Sequence, residues 1–136
     1  MIQKIEHIGI AVSDLDDVLK VYECLGLKPK HIETFGGVYN VRIAFIPVGE
    51  STLELLQPMK PLAGIIGEHI AKRGEGIHHV ALKVDNIEET LAKLKEKGIQ
   101  LIHNEPQKGS RGTKTAFIKA KSVRGTLIEL VEHLNE

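Results

Sequence analysis

The chain has 136 residues, 42% of them hydrophobic and 26% charged, with eighteen basic side chains balancing eighteen acidic ones. That length suits one compact domain with a real core, and the zero net charge offers no footprint for nucleic acid or an anionic membrane. No apolar run approaches the roughly 18 residues of a membrane span. A single cysteine, Cys24, excludes an internal disulfide framework and fits a reducing compartment. It falls in a predicted helix and is expected there as a small buried hydrophobe. MIQKIEHIGIAV runs straight into a strand pattern with no secretory signature, so a cytoplasmic location is expected.

In chain order, KIEHIGIAV (4–12) reads as a strand. Ser13 or Asp14 is the N-cap of a helix over LDDVLKVYECL (15–25), and Gly26 ends it. HIETF (31–35), VYNVRIAFI (38–46) and STLELLQ (51–57) follow as strands, the last two joined by the hairpin connection PVGE. PLAGIIGEHIAKRGEG (61–76) reads as a short linking helix with glycine-rich ends. GIHHVALKV (76–84) is again a strand, Asp85 or Asn86 caps IEETLAKLKEK (87–97), and Gly98 stops it. IQLIHNE (99–105), KTAFIKA (114–120) and TLIELVE (126–132) complete the second set of strands.

The two sets are copies. HIGIAV matches HVALKV, Leu15 and Leu19 match Ile87 and Leu91, Gly26-Leu27 matches Gly98-Ile99, and RIAFI matches KTAFI, all 72 residues apart. The offset then becomes 75, where LELL at 53–56 matches IELV at 128–131, as a three-residue difference in one hairpin loop would produce. Each copy is a βαβββ unit, so an α+β fold of two tandem modules related by a pseudo-twofold axis is predicted. The expected division of a single domain over 1–136 is module one at about 1–60, linker helix at about 61–74 and module two at about 75–136.

Each copy also carries one histidine and one glutamate within strands: His7 and Glu54, then His79 and Glu129. Glu54 lies between Leu53 and Leu55, and Glu129 between Ile128 and Leu130. A carboxylate in such a strand is costly to bury unless it is paired or bound to a metal. One strand histidine or one strand glutamate is ordinarily structural; two of each at matched positions point to a symmetric site. Two imidazoles and two carboxylates suit a divalent first-row metal with positions left for water or substrate oxygens.

With HIGIAVSDLDDVLKVYECLGL, FIPVGESTLELLQP, IAKRGEGIHHVALKV and NEPQKGSRGTKTAFIKAKSVRGTLIELVE in view, the chain resembles the vicinal oxygen chelate superfamily over almost its whole length. Within that superfamily it is most similar to the methylmalonyl-CoA epimerase branch. The resemblance implies mixed sheets cupped around a metal site, with His7, Glu54, His79 and Glu129 as ligands and Glu129 as an acid/base as well. His78 then points to the other strand face. The implied reaction is racemisation of an acyl-CoA substrate at the carbon between a thioester and a carboxylate, dependent on cobalt, manganese, zinc or nickel, in a homodimer. Some relatives carry a second carboxylate where this chain has Ile43; the nearest carboxylates in sequence are Glu33 and Glu50. Another group or a water would then serve the second face, unless the alignment of that strand is shifted. The alternative enzyme reading is a glyoxalase I-type lactoylglutathione lyase with the same ligand set. A third is a non-catalytic ligand-binding protein of the same fold.

Residues 106–128 hold six basic side chains, Lys108, Arg111, Lys114, Lys119, Lys121 and Arg124, and no acidic one. They read either as a solvated basic hairpin or as a surface for coenzyme A phosphates or the substrate carboxylate, with Arg111 and Arg124 the named substrate-binding candidates. His31, His69, His103 and His133 are expected at the surface without a role.

Overall fold

The computed structural model describes residues 1–37 and 39–135. Its elements are β1 (Ile2–Ala11), α1 (Leu15–Cys24), β2 (His31–Phe35), β3 (Val41–Val48), β4 (Ser51–Pro58), α2 (Gly64–Arg73), β5 (Gly76–Val84), α3 (Ile87–Glu96), β6 (Gln107–Lys108), β7 (Thr113–Ile118), a 3-10 turn (Ala120–Val123) and β8 (Ile128–His133). They form two compact units, His7–His78 and Met1–Glu6 together with the chain from His79 onward. No helix of the described residues is long and apolar enough to cross a membrane.

In the unit His7–His78 the strand order is β2-β3-β4-β1, antiparallel except for the parallel pair β1 and β4. In the other unit β5 is parallel to β8, β8 antiparallel to β7, and β7 antiparallel to β6. The registers are copies of each other. Gly9 faces Glu54 and Ala81 faces Glu129; Ile46 faces Leu53 and Ile118 faces Ile128. Six residues separate Ile46 from Leu53, and nine separate Ile118 from Ile128. The three extra residues therefore sit in the β7–β8 connection, where the 3-10 turn lies.

Local sequence explains why each module closes in the same way. Asp14 and Asn86 accept at 3.0 Å from the backbone N–H of Asp17 and Glu89, satisfying helix-start donors that have no partner inside the helix. A second start donor is met from the sheet: Gln57 Oε1 accepts from Leu15 N at 2.7 Å, and Glu132 Oε1 accepts from Ile87 N at 2.8 Å. At the other end Gly26 and Gly98 take φ of 80° and 78°, values that only glycine adopts without strain. The next residues, Leu27 and Ile99, then donate back to the carbonyls of Tyr22 and Leu94. The exposed pair Arg42–Asp16 at 3.2 Å recurs as Lys114–Glu88 at 2.7 Å. Hydrogen bonding to Lys114 lowers the Glu88 carboxyl from its ordinary range, and the same contact raises Lys114.

Helix α1 presents Leu15, Val18, Leu19 and Tyr22 to a core of Val12, Ala44, Ile46 and Leu55 on one face of its sheet. α3 does the same in its unit, with Ile87 and Leu91 on Val84, Ala116 and Leu130. The opposite face of the first sheet is partly covered by α2, whose Ile66 packs with Ala11, Val41, Ile43, Phe45 and Leu56.

Three expectations change. Cys24 is exposed rather than buried, because it lies off the apolar stripe of α1. The strand expected over 38–46 begins at Val41; Tyr39 and Asn40 are outside it and position 38 lies outside the described residues. The strand expected over 99–105 is reduced to a single bridge between Leu101 and Ile118, with the two-residue β6 further on. Ile102 N donates to Phe117 O at 2.8 Å, but Phe117 N turns to the ring Nδ1 of His103 at 3.3 Å. A side chain thus takes the place of the next backbone acceptor, and Pro106, which has no N–H, cannot resume the ladder.

Candidate metal centre

Strand alternation decides which side chains meet. In the unit His7–His78 the registers put His7 and Gly9 of β1, Thr52 and Glu54 of β4, Phe45 and Ile43 of β3, and His31 and Glu33 of β2 on one sheet face. Gly9, directly opposite Glu54, puts no side chain beside the carboxylate. His7 reaches it diagonally, with Nδ1 3.1 Å from Glu54 Oε2, and the two side chains are only 7% and 8% exposed. The other unit repeats the arrangement. His79 Nε2 lies 3.4 Å from Glu129 Oε1, with side chains 5% and 9% exposed, although the ring presents its other nitrogen. Phe45 and Phe117 flank the two carboxylates from the neighbouring strands, and the His79 ring stands edge-on to Phe117 at 5.6 Å.

Two buried carboxylates, each beside an imidazole and walled by an aromatic ring, form a donor set of nitrogen and oxygen suited to a divalent cation. The ionic cost of burying them is offset when a cation shares the site. The duplicated His–Glu pairs fit a metal chemically, one pair per unit. A buried carboxylate that can exchange a proton also provides acid/base chemistry.

The duplication extends to a second pair of histidines. His31 and His103 are also 72 residues apart, and they lie against Phe45 and Phe117 with ring centroids 5.9 Å apart in both cases. The constant offset was the signal that could have found them. Of the four histidines expected at the surface, only His31 is exposed; His69, His103 and His133 are half-buried. His69 meets His78 edge-on at 5.0 Å. Burial, and secondarily the positive charge of Arg73, lower the His69 pKa below 6.5. His133 Nε2 lies 3.2 Å from Oε2 of Glu6, a buried carboxylate to which the sequence reading assigned nothing.

Of the two substrate-binding candidates, Arg111 approaches Glu6 Oε2 at 3.9 Å, from a left-handed backbone with φ of 53°. Arg124 is exposed and closes the 3-10 turn, its backbone at φ of 65°. Gly109 permits the turn before β7, where a Cβ would run into Thr113 and Thr115. Ile43 is buried on β3, between Leu56 and Glu33.

The chain belongs to the glyoxalase/bleomycin resistance protein/dioxygenase superfamily, whose pattern matches residues 6–117. Within it, the similarity runs to methylmalonyl-CoA epimerases. The chain is 32% identical over 138 residues to the ethylmalonyl-CoA/methylmalonyl-CoA epimerase of Cereibacter sphaeroides, covering 96% of this chain and 98% of that one. It is 36% identical over 130 residues to the uncharacterized protein YqjC of Bacillus subtilis, covering 95% and 91%. A methylmalonyl-CoA epimerase solved in complex with methylmalonyl-CoA and NH4+ superposes with a TM-score of 0.90 at 33% identity, covering 98% of this chain and 96% of that one. The fold is thus the α+β vicinal oxygen chelate fold of the epimerase structures.

Proposed function

We propose that the protein is a divalent-metal-dependent methylmalonyl-CoA epimerase. The observation that carries this reading is the duplicated buried pair, His7 with Glu54 and His79 with Glu129. In the proposal these four side chains hold one ion, which when bound supplies Lewis-acid stabilisation to the negative charge that develops on the thioester. Glu129 takes the α-proton from one epimer as a carboxylate and returns it as a carboxylic acid in the reverse direction. Burial of the pairs keeps bulk water from solvating the developing charge and preserves the strength of each electrostatic contact. The basic segment 106–128 supplies attraction for coenzyme A phosphates, with Arg111 and Arg124 as its contact candidates. The epimerase relatives support this choice of substrate, and the proposal extends to a cytoplasmic homodimer.

The experiment is a comparison of substrates on one metal-loaded preparation. The reading expects methylmalonyl-CoA epimerisation with kcat/KM in the ordinary enzymatic range of about 10⁴ M⁻¹s⁻¹ or more, and little turnover of the glutathione hemithioacetal of methylglyoxal. Turnover of the hemithioacetal alone would replace it by the lyase. Binding of acyl-CoA without turnover or bound metal would replace it by a non-catalytic protein of this fold.

A further inference from the structure

Inversion at a carbon removes a proton from one face and returns one to the other, and the epimerase reading above assigns only Glu129. Ile43 has nothing to offer a proton. Its direct neighbour across the β2–β3 ladder, however, is Glu33, in register and therefore on the same sheet face. That face also carries His7 and Glu54. Of the side chains that β1, β2, β3 and β4 put on it within the unit His7–His78, only Glu33 and Glu54 are carboxylates. Glu54 is committed to His7 at 3.1 Å.

Glu33 is not committed. Its Oε1 is buried and accepts no hydrogen bond among the described residues, and the nearest imidazole nitrogen, His31 Nε2, is 3.7 Å away. The side chain as a whole is 29% exposed, so one oxygen is shielded while the carboxyl keeps a route to solvent for proton exchange. A buried acceptor left without a partner costs stability unless something else engages it, as a bound substrate can.

We propose that Glu33 is the second proton carrier. It rests on the epimerase reading, and it places on β2 the carboxyl that some relatives carry on β3. In one direction Glu129 takes the α-proton, the C–H electron pair moves into the thioester as an enolate, and the carboxylic acid of Glu33 gives its proton to the opposite face of the same carbon. In the other direction Glu33 is the base and Glu129 the acid. Exchange with water resets both carboxyls.

The test follows inversion and solvent deuterium uptake separately, from each pure epimer of methylmalonyl-CoA in heavy water, with metal-loaded wild type and Glu33→Gln. From the epimer that Glu129 deprotonates, the variant is expected to keep deuterium uptake with retention of configuration while inversion falls by about 10²–10⁴-fold, the usual contribution of a positioned acid or base. From the other epimer, uptake and inversion are expected to fall together. Metal affinity by titration and the unfolding midpoint are expected to match wild type, which separates a proton carrier from a ligand or a structural residue. Inversion within threefold of wild type, or equal loss from both epimers with weakened metal binding, would overturn the assignment. If wild type itself neither exchanges nor inverts, the epimerase reading fails and the assignment with it.

Discussion

The strands that carry Glu54 and Glu129 are tied to the starts of the helices by other side chains of their own. Three residues beyond Glu129, Glu132 accepts from Ile87 N at 2.8 Å; three beyond Glu54, Gln57 accepts from Leu15 N at 2.7 Å. Both donors belong to residues that are 0% exposed, so water cannot readily replace the lost acceptor. Glu132→Ala therefore leaves a shielded N–H unsatisfied, at a cost of about 1–3 kcal/mol. It also removes a negative charge from a helix N-terminus, worth about 0.3–1 kcal/mol. Together these give an expected loss of about 1.3–4 kcal/mol, or about 5–16 °C in Tm for a chain of this length. Gln57→Ala loses only the first contribution, and Glu132→Gln, which keeps the acceptor, only the second. The assay is denaturant unfolding of metal-free protein, followed by far-ultraviolet circular dichroism. The reasoning is refuted if Glu132→Ala stays within about 0.5 kcal/mol of wild type, the ordinary scatter of surface substitutions.

Titration calorimetry with a divalent ion is expected to show that His7→Ala and His79→Ala each weaken binding by more than about 100-fold, beyond the effect of losing a merely supporting partner. Glu54→Gln, which keeps an oxygen donor, should be milder than Glu54→Ala; equal losses would argue against Glu54 as a ligand. Reversing the charges of Arg111 and Arg124 together is expected to raise KM for acyl-CoA, and an unchanged KM would leave residues 106–128 as a solvated basic hairpin. The hydrogen bond from the N-terminal ammonium to Asp85, 2.7 Å long, holds that carboxyl below its ordinary 3.8. A lowered carboxyl contributes stability above its unfolded pKa and loses it as pH falls through the folded one. Asp85→Asn should therefore flatten the acid limb of the stability profile below about pH 4, as read by the thermal midpoint against pH.

The repeat was legible because it is written in side-chain identity at a fixed spacing, and it carried the βαβββ order, the helix caps and both His–Glu pairs. His31 and His103 stand at the same spacing, but isolated polar residues suggest solvent rather than a site. Other features had no local signature. Glu6 and His133 meet across 127 residues of chain, and nothing in EHIG or LVEH marks the contact. The short second copy of β2 was hidden for a similar reason: IQLIHNE has the pattern of a strand, and the imidazole of His103 reaching Phe117 N breaks the ladder just before Pro106. Cys24 shows that composition cannot place a residue that the phase of its helix turns outward.

The central claim is that the duplicated His–Glu pairs hold one ion on which proton exchange depends. Its most direct test is to incubate methylmalonyl-CoA in heavy water with chelator-stripped protein, then with the same protein after a divalent ion is restored, and follow deuterium at the α-carbon by NMR. The expected result is exchange only after the ion is restored, abolished again in His7→Ala and His79→Ala. Equal exchange by stripped and reconstituted protein, or none by either, would contradict it.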